Sequence, residues 1–271
     1  MCKPQISLLV PFKDNGEGRA QAWNWLQRFW TAHLKSVEIV VGTPAGLPFN
    51  KAVAINQAAK KAKGRIFVIL DADAYMDPAV IQACADRIDA ALKARKKLWF
   101  MPYDKLYRLN PGATAALIRS NPKLPYKVPS PPPQAWLETT PDPSGGHSCN
   151  YGHQYGAMCM VMPREAFTTV NGMDPGFRWG WGSEDACFLK ALDTLYTQHE
   201  VARADILHLW HTRPGTNWET RKWVGQNAQF GAANSRLAQR YQAAVGEYHW
   251  MRALVDEHKP AKRRWWRRKT N

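Results

Sequence analysis

The chain has 271 residues, 45% of them hydrophobic, and a formal net charge of +15 at pH 7. That length and apolar content suit one large α/β domain, or one domain with an appendage, with a substantial core, and exclude a disordered chain. No apolar run approaches the roughly 20 residues a membrane helix needs, and the start, Met1-Cys2-Lys3-Pro4, offers no signal-peptide pattern.

Ile6–Pro11 reads as a first strand, stopped by its proline. A helix follows, with Ala22, Trp23, Leu26 and Trp30 near one face at 3.6-residue spacing. Val37–Val41 is a second short strand, ending at Gly42. Lys51–Lys61 sets Ala52, Ile55, Ala58 and Ala59 on a helical face, and Gly64 stops that helix. Ile66–Leu70 is an unbroken apolar run of strand length, as a strand buried on both faces requires. Asp77-Pro78 caps a helix that runs to about Arg95, with proline at its first turn. Leu98–Pro102 is a further strand. This alternation predicts an α/β fold with a doubly wound, mainly parallel sheet.

The rhythm then breaks. Residues 121–146 hold eight prolines, Pro131-Pro132-Pro133 among them, and close with Gly145-Gly146. The segment reads as a long active-site loop rather than a linker, because elements resume beyond it. Tyr155–Met162 looks like a strand, Arg164–Val170 a short helix, Glu184–Leu195 a longer one, and Ala204–Trp210 a strand. Glu219–Val245 has helical composition. From Lys259 to Lys269 the chain carries seven Lys or Arg and no acid, interleaved with two tryptophans. Such a tail suits an anionic membrane surface or an acidic assembly; a specific nucleic-acid partner is not expected. The five cysteines are odd in number and lack metal-site spacing, so a reduced, cytoplasmic protein is expected, peripheral at a membrane if the tail docks there.

Three segments carry chemistry. Ile66–Leu70 ends in Asp71 and Asp73, two hard oxygen donors at the carboxyl end of a buried strand. Open α/β sheets bind ligands at that edge, and paired acids there suit Mg²⁺ or Mn²⁺ and, through it, a diphosphate. Asn171–Asp185 alternates glycine with tryptophan before Glu184-Asp185: flat indole walls on which a sugar face can stack, beside a carboxylate able to act as a general base. His208 and His211 end a strand-like run. Positions three apart on a strand face opposite sides, so only one of the pair is expected to reach a shared metal.

Together these segments resemble a known family over roughly residues 5–215. The chain looks like a metal-dependent glycosyltransferase of the nucleotide-sugar-binding A-type fold, akin to family-two enzymes, with a C-terminal half of the β-1,4-galactosyltransferase and chondroitin-polymerase type. Leu9-Val-Pro-Phe-Lys-Asp14 is similar to the family's first-strand motif, which implies Pro11, Lys13 and Asp14 in the nucleotide pocket. Phe49-Asn-Lys-Ala-Val-Ala-Ile-Asn56 resembles the helix start holding nucleoside and diphosphate, which implies Asn50, Lys51 and Asn56. Asp71-Ala72-Asp73 matches the D-x-D motif, implying Asp73 as metal ligand, Asp71 toward the donor's ribose or the metal, and Ala72 on the donor. Trp181-Gly-Ser-Glu-Asp185 matches W-G-x-E-D. That implies Asp185 as catalytic base and Glu184, with Trp179, Trp181 and Gly182, on the acceptor or sugar. His211 resembles the late metal-binding histidine, with His208 as its alternative.

The resemblance implies Mn²⁺ (or Mg²⁺), a nucleotide-diphospho-sugar donor (a UDP-sugar), hexosyl transfer with inversion, and a glycan, lipid-linked glycan or protein acceptor. It also implies one domain over 1–258: a nucleotide-sugar half (1–103), a Pro-rich irregular segment (104–150), an acceptor half (151–215) and a helical region (216–258), before the 259–271 tail. One departure stands out. The family's second strand commonly ends in an acid that meets uracil, whereas this one ends Val40-Val41-Gly42-Thr43, which shifts base recognition to Asn50 or Asp14. Two other readings compete: a sugar-phosphate nucleotidyltransferase, hinted at by Lys13–Arg19, and a non-enzymatic nucleic-acid or membrane binder, suggested by the tail.

Overall fold

The structure, a computed structural model, describes residues 5–14, 19–45, 49–138, 148–149, 158–178, 182–211 and 226–259. Its first half consists of β1 (Ile6–Pro11), α1 (Arg19–His33), β2 (Val37–Gly42), α2 (Lys51–Lys61) and β3 (Ile66–Leu70). β1 pairs in parallel with both β2 and β3, so the chain first steps to one side of β1 and then back across it. Right-handed crossovers in opposite directions carry α1 and α2 on opposite faces of the sheet. That is the doubly wound arrangement expected from the sequence.

The chain continues through β4 (Ala74–Met76), α3 (Pro78–Lys93), β5 (Phe100–Met101), β6 (Lys105–Arg108), α4 (Pro111–Arg119), β7 (Ser148–Cys149), β8 (Cys159–Pro163) and α5 (Arg164–Thr169). It ends with α6 (Glu184–Leu195), β9 (Glu200–Val201), β10 (Asp205–His208), α7 (Gln226–Ala243) and α8 (Tyr248–Glu257). A six-stranded sheet has the order β2-β1-β3-β8-β5-β9, and a four-stranded one the order β4-β10-β6-β7. In the larger sheet only β8 runs against its neighbours. β3 lies near its centre with every side chain buried, which explains its unbroken apolar sequence. Trp25 stacks on Phe29 at 5.3 Å, and both meet Tyr75 edge-on, packing α1 against β4.

The structure departs from the sequence reading in its smaller elements. β4, β6, β7 and β9 are two to four residues long, too short to show a period. α4 lies inside the stretch read as irregular, started by Asn110, whose side chain accepts the Ala113 N–H at 2.8 Å. The strand read at Leu98–Pro102 contracts to β5. The last helical stretch is two helices, broken where Gly246 takes φ +78°. Asp77 caps α3 as expected, accepting the Ala79 N–H at 2.9 Å. Cys84, Cys159 and Cys187 are free and buried. Among the described residues no helix is long and apolar enough to cross a membrane; beyond Lys259 the basic tail lies outside them.

Gly42 explains why β2 ends without an acid. A Cβ built there would run into the Ala54 carbonyl oxygen, so α2 packs its backbone directly on this strand end. Gly42→Ala should cost about 1–3 kcal/mol by overpacking and lower the thermal midpoint by several degrees; an unchanged midpoint would contradict this close approach.

Candidate active site

The site lies at the seam between the two sheets. Asp71, Ala72 and Asp73 form the link from β3 to β4. The Asp71 carbonyl accepts the Ala74 N–H at 3.0 Å, and the Asp71 N–H reaches the Met158 carbonyl at 2.9 Å. The Asp73 carbonyl accepts the Leu209 N–H at 2.8 Å, tying this link to the end of β10. His208 closes β10 opposite Ala74.

As a result Asp73, His208 and His211 each offer a ligand atom, all within 4.8 Å of one another. The two imidazoles stand 5.2 Å apart, centre to centre, and His211 Nε2 is 3.1 Å from Asp73 Oδ2. The expectation that only one histidine would reach the site fails for a simple reason. β10 stops at His208, so strand alternation no longer governs where His211 points. One carboxylate and two imidazole nitrogens form a donor set that fits a divalent transition ion better than Mg²⁺, which favours oxygen. Burial pushes the Asp73 carboxyl up, but Arg19, His208 and His211 outweigh it and hold it well below the usual carboxylate range.

Lys51 stands at the first turn of α2. Its Nζ lies 2.8 Å from Asp71 Oδ1 and 2.7 Å from Asp185 Oδ2, and the Lys51 and Asp185 side chains are each 16% exposed. A cation at a helix N-terminus opposes the macrodipole, so the two acids stabilise a lysine placed against its helix. Burial would lower the Lys51 pKa; Asp185, Asp71 and Glu184 raise it instead. Burial raises Asp185 to about 6, with Lys51 pulling down and Glu184 adding to the rise. Asp71 is likewise raised, mainly by burial and against the pull of Lys51.

Asp185 is delivered by a tight loop. Gly182 (φ +130°) and Ser183 (φ +75°) both adopt left-handed backbone immediately before α6, a conformation uncommon for non-glycine residues. The Gly182 N–H donates to Glu184 Oε2 at 3.2 Å. Upstream, the loop is fastened to α2. Asn56 Nδ2 donates to the Met173 carbonyl at 2.7 Å while its Oδ1 accepts the Met173 N–H at 3.0 Å. Asn50 Nδ2 donates to the Pro175 carbonyl at 3.2 Å, and its Oδ1 caps α2 at Val53. Asn50 and Asn56, read from the sequence as donor contacts, therefore use both ends of their amides on protein backbone. They act here as clamps on the 173–175 backbone. Gly172 (φ +78°) permits this closeness, since a Cβ there would strike Asn56 Oδ1. From the other side the Tyr241 hydroxyl donates to Asp174 Oδ2 at 3.0 Å.

The remaining sequence candidates are distributed around this centre. Pro11 ends β1 beside Gly42. Lys13 and Asp14 follow it at the carboxyl edge of the parallel strands, where β3 also ends. Trp179 and Trp181 lie outside the described residues. Two residues were missed. Arg19, the first residue of α1, places Nη2 3.0 Å from Asp73 Oδ2; its only signal was the basic loop Lys13–Arg19. Tyr103 is buried and its hydroxyl accepts the Met158 N–H at 3.2 Å. Burial, and to a lesser degree Cys159, Asp185 and Asp71, push its pKa up. A lone tyrosine after a strand gives no sequence signal.

Two family models match the chain: glycosyl transferase family 2 over residues 47–94, and the N-terminal domain of galactosyltransferase over 147–212. Both matched families are glycosyltransferases. No curated protein matches significantly. Among solved structures, the glycosyltransferase-like chain is similar to the catalytic domain of Drosophila β1,4-galactosyltransferase 7 in complex with xylobiose, at 17% identity, 82% coverage of each chain and a TM-score of 0.43. It is also similar to GalNAc-T7 with UDP, GalNAc and Mn²⁺, at 11% identity, 94% and 55% coverage and a TM-score of 0.48. S. aureus TarS 1-349 in complex with UDP-GlcNAc is similar at 13% identity, 94% and 71% coverage and a TM-score of 0.45. Structural likenesses this distant add no weight to the reading of the site.

Lys51→Met should leave two buried carboxylates facing each other. The expected loss is about 3–5 kcal/mol where both acids are ionised; it shrinks as pH falls, and Asp185 takes up its proton at higher pH than in wild type because the lysine that pulls its pKa down is gone. Thermal unfolding of both proteins from pH 8 to pH 5 measures this; a pH-independent deficit would mean the lysine acts by packing alone.

Proposed function

We propose that the protein transfers a hexosyl group from a nucleotide-diphospho-sugar, a UDP-sugar, to an acceptor hydroxyl, using a divalent cation. The observation that carries this reading is a one-carboxylate, two-imidazole cluster meeting a buried carboxylate at one sheet edge, Lys51 joining the D-x-D segment to Asp185. The two matched segments between them contain every one of these residues.

The roles follow from position. The N-terminus of α2 and Lys51 offer positive potential to the donor's diphosphate, with Asp71 and Ala72 at the strand end beside it. Asp73, His208 and His211 would hold the cation, Mn²⁺ in preference to Mg²⁺ given two nitrogen donors, and when bound it would neutralise charge on the diphosphate. Asp185 Oδ1 is buried and makes no hydrogen bond among the described residues, so its capacity to accept a proton is not used by the protein. That hydroxyl gives its proton to Asp185 as its oxygen bonds to the anomeric carbon. The bond from that carbon to the diphosphate oxygen breaks, and the nucleoside diphosphate leaves. One displacement with no protein nucleophile inverts the anomeric configuration. Glu184 and Gly182, with Trp179 and Trp181, form the acceptor side, for a glycan, lipid-linked glycan or protein.

A panel of nucleotide-sugars incubated with Mn²⁺, with Mg²⁺ and with neither is expected to give nucleoside diphosphate release that depends on Mn²⁺ and is lost in Asp73→Ala. Release of pyrophosphate from a nucleoside triphosphate plus a sugar phosphate would instead mark a nucleotidyltransferase. Asp185→Asn should lower transfer by at least about 10²-fold, the scale of general base catalysis, while nucleotide binding persists. Because the base must be ionised, wild-type transfer should fall as pH drops through about 6. A rate flat from pH 7.5 to pH 5 would remove Asp185 from that role.

A further inference from the structure

Arg19 is paired with the carboxylate that the candidate metal cluster would use. Its Nη2 lies 3.0 Å from Asp73 Oδ2, the same oxygen that His211 Nε2 approaches at 3.1 Å. The Asp73 side chain is only 6% exposed. Two groups already crowd that single oxygen, so a divalent ion taking it as a ligand meets a guanidinium holding the same lone pairs. Arg19 is also half used. Its Nε is buried and makes no hydrogen bond among the described residues. A buried guanidinium N–H left unpaired is costly. The Nε–Nη edge is the face that grips phosphate oxygens in a two-pronged fashion.

We infer that Arg19 is a gatekeeper of the metal site: it occupies Asp73 in the donor-free protein and exchanges that carboxylate for the phosphates of the donor when the cation enters. The inference rests on the metal and donor reading above and adds to it a competition between a side chain and an ion. Without a nucleotide, the incoming ion must displace Arg19 and leave the guanidinium with its best partner lost. With a nucleoside diphosphate present, the displaced side chain meets phosphate oxygens that satisfy both the freed Nη and the idle Nε. Cation and nucleotide therefore bind more tightly together than apart. Linkage makes that effect reciprocal: each ligand raises the other's affinity by the same factor.

The test is Mn²⁺ binding, measured by calorimetry or by loss of the free-ion electron paramagnetic resonance signal, with and without UDP, on the full chain. For wild type, Mn²⁺ alone should bind weakly and UDP should tighten it. Arg19→Gln removes the competitor, so Mn²⁺ alone should bind on the order of tenfold tighter than to wild type. The tightening produced by UDP should shrink by a similar factor. Arg19→Lys keeps the charge and loses the two-pronged edge, so its UDP-linked gain should fall below wild type even if Arg19→Gln does not fold. Unchanged Mn²⁺ affinity and unchanged UDP linkage in both variants, with wild type binding both ligands, would overturn the inference and leave the metal site standing. Failure of wild type to bind Mn²⁺ even with UDP would overturn the metal site and this inference with it.

Discussion

One ammonium group between two carboxylates holds the candidate site together. Lys51 begins α2, Asp71 ends β3 and Asp185 lies in the first turn of α6, yet Nζ is within 2.8 Å of both acids. At such burial the attraction is large and so is the cost of desolvating each charge. The arrangement is favourable only while all three are in place. It therefore fixes the distance between the end of the donor strand and the start of the helix that carries the proposed base. The Asn50 and Asn56 amides act in the same direction, fastening the 173–175 backbone to α2. This one helix locates both the diphosphate end and the hydroxyl end of the proposed reaction.

The electrostatic pattern around this centre has a direction. Asp71, Asp73, Glu184 and Asp185 gather at one edge, answered by Lys51 and Arg19. Asp73, with a guanidinium and an imidazole on it, stays ionised. Asp185 and Asp71, with one shared ammonium between them, are pushed upward by burial. Neighbouring acids of the same residue type thus divide into one suited to hold a cation and one able to take up a proton, because their surroundings differ.

Much of this was legible in the sequence where the signal was long or chemically loud. The apolar run into Asp71 and Asp73, the helix from Lys51 and the Glu184-Asp185 helix start all stand where periodicity and capping put them. The smaller sheet was not legible, because strands of two to four residues carry no period. Nor was the antiparallel course of β8, since a strand buried on both faces reads the same in either direction. Both histidines converge because β10 ends at His208, two residues sooner than its apolar pattern suggests. The loop-clamping use of Asn50 and Asn56 was hidden for a different reason. An amide that binds a ligand and one that binds backbone look identical until the opposing chain is placed.

The seam on which the site sits has a mechanical side. Asp73 leaves the larger sheet, whereas His208 and His211 belong to the end of the smaller one, more than a hundred residues later in the chain. Any group bound by all three is a rivet between two layers as well as a reactant's partner. The β4–β10 pairing and the Leu209 N–H to Asp73 carbonyl bond already close that long loop, so a bound group adds its binding free energy to a junction that exists without it. Occupancy of the site and stability of the seam are in that sense linked.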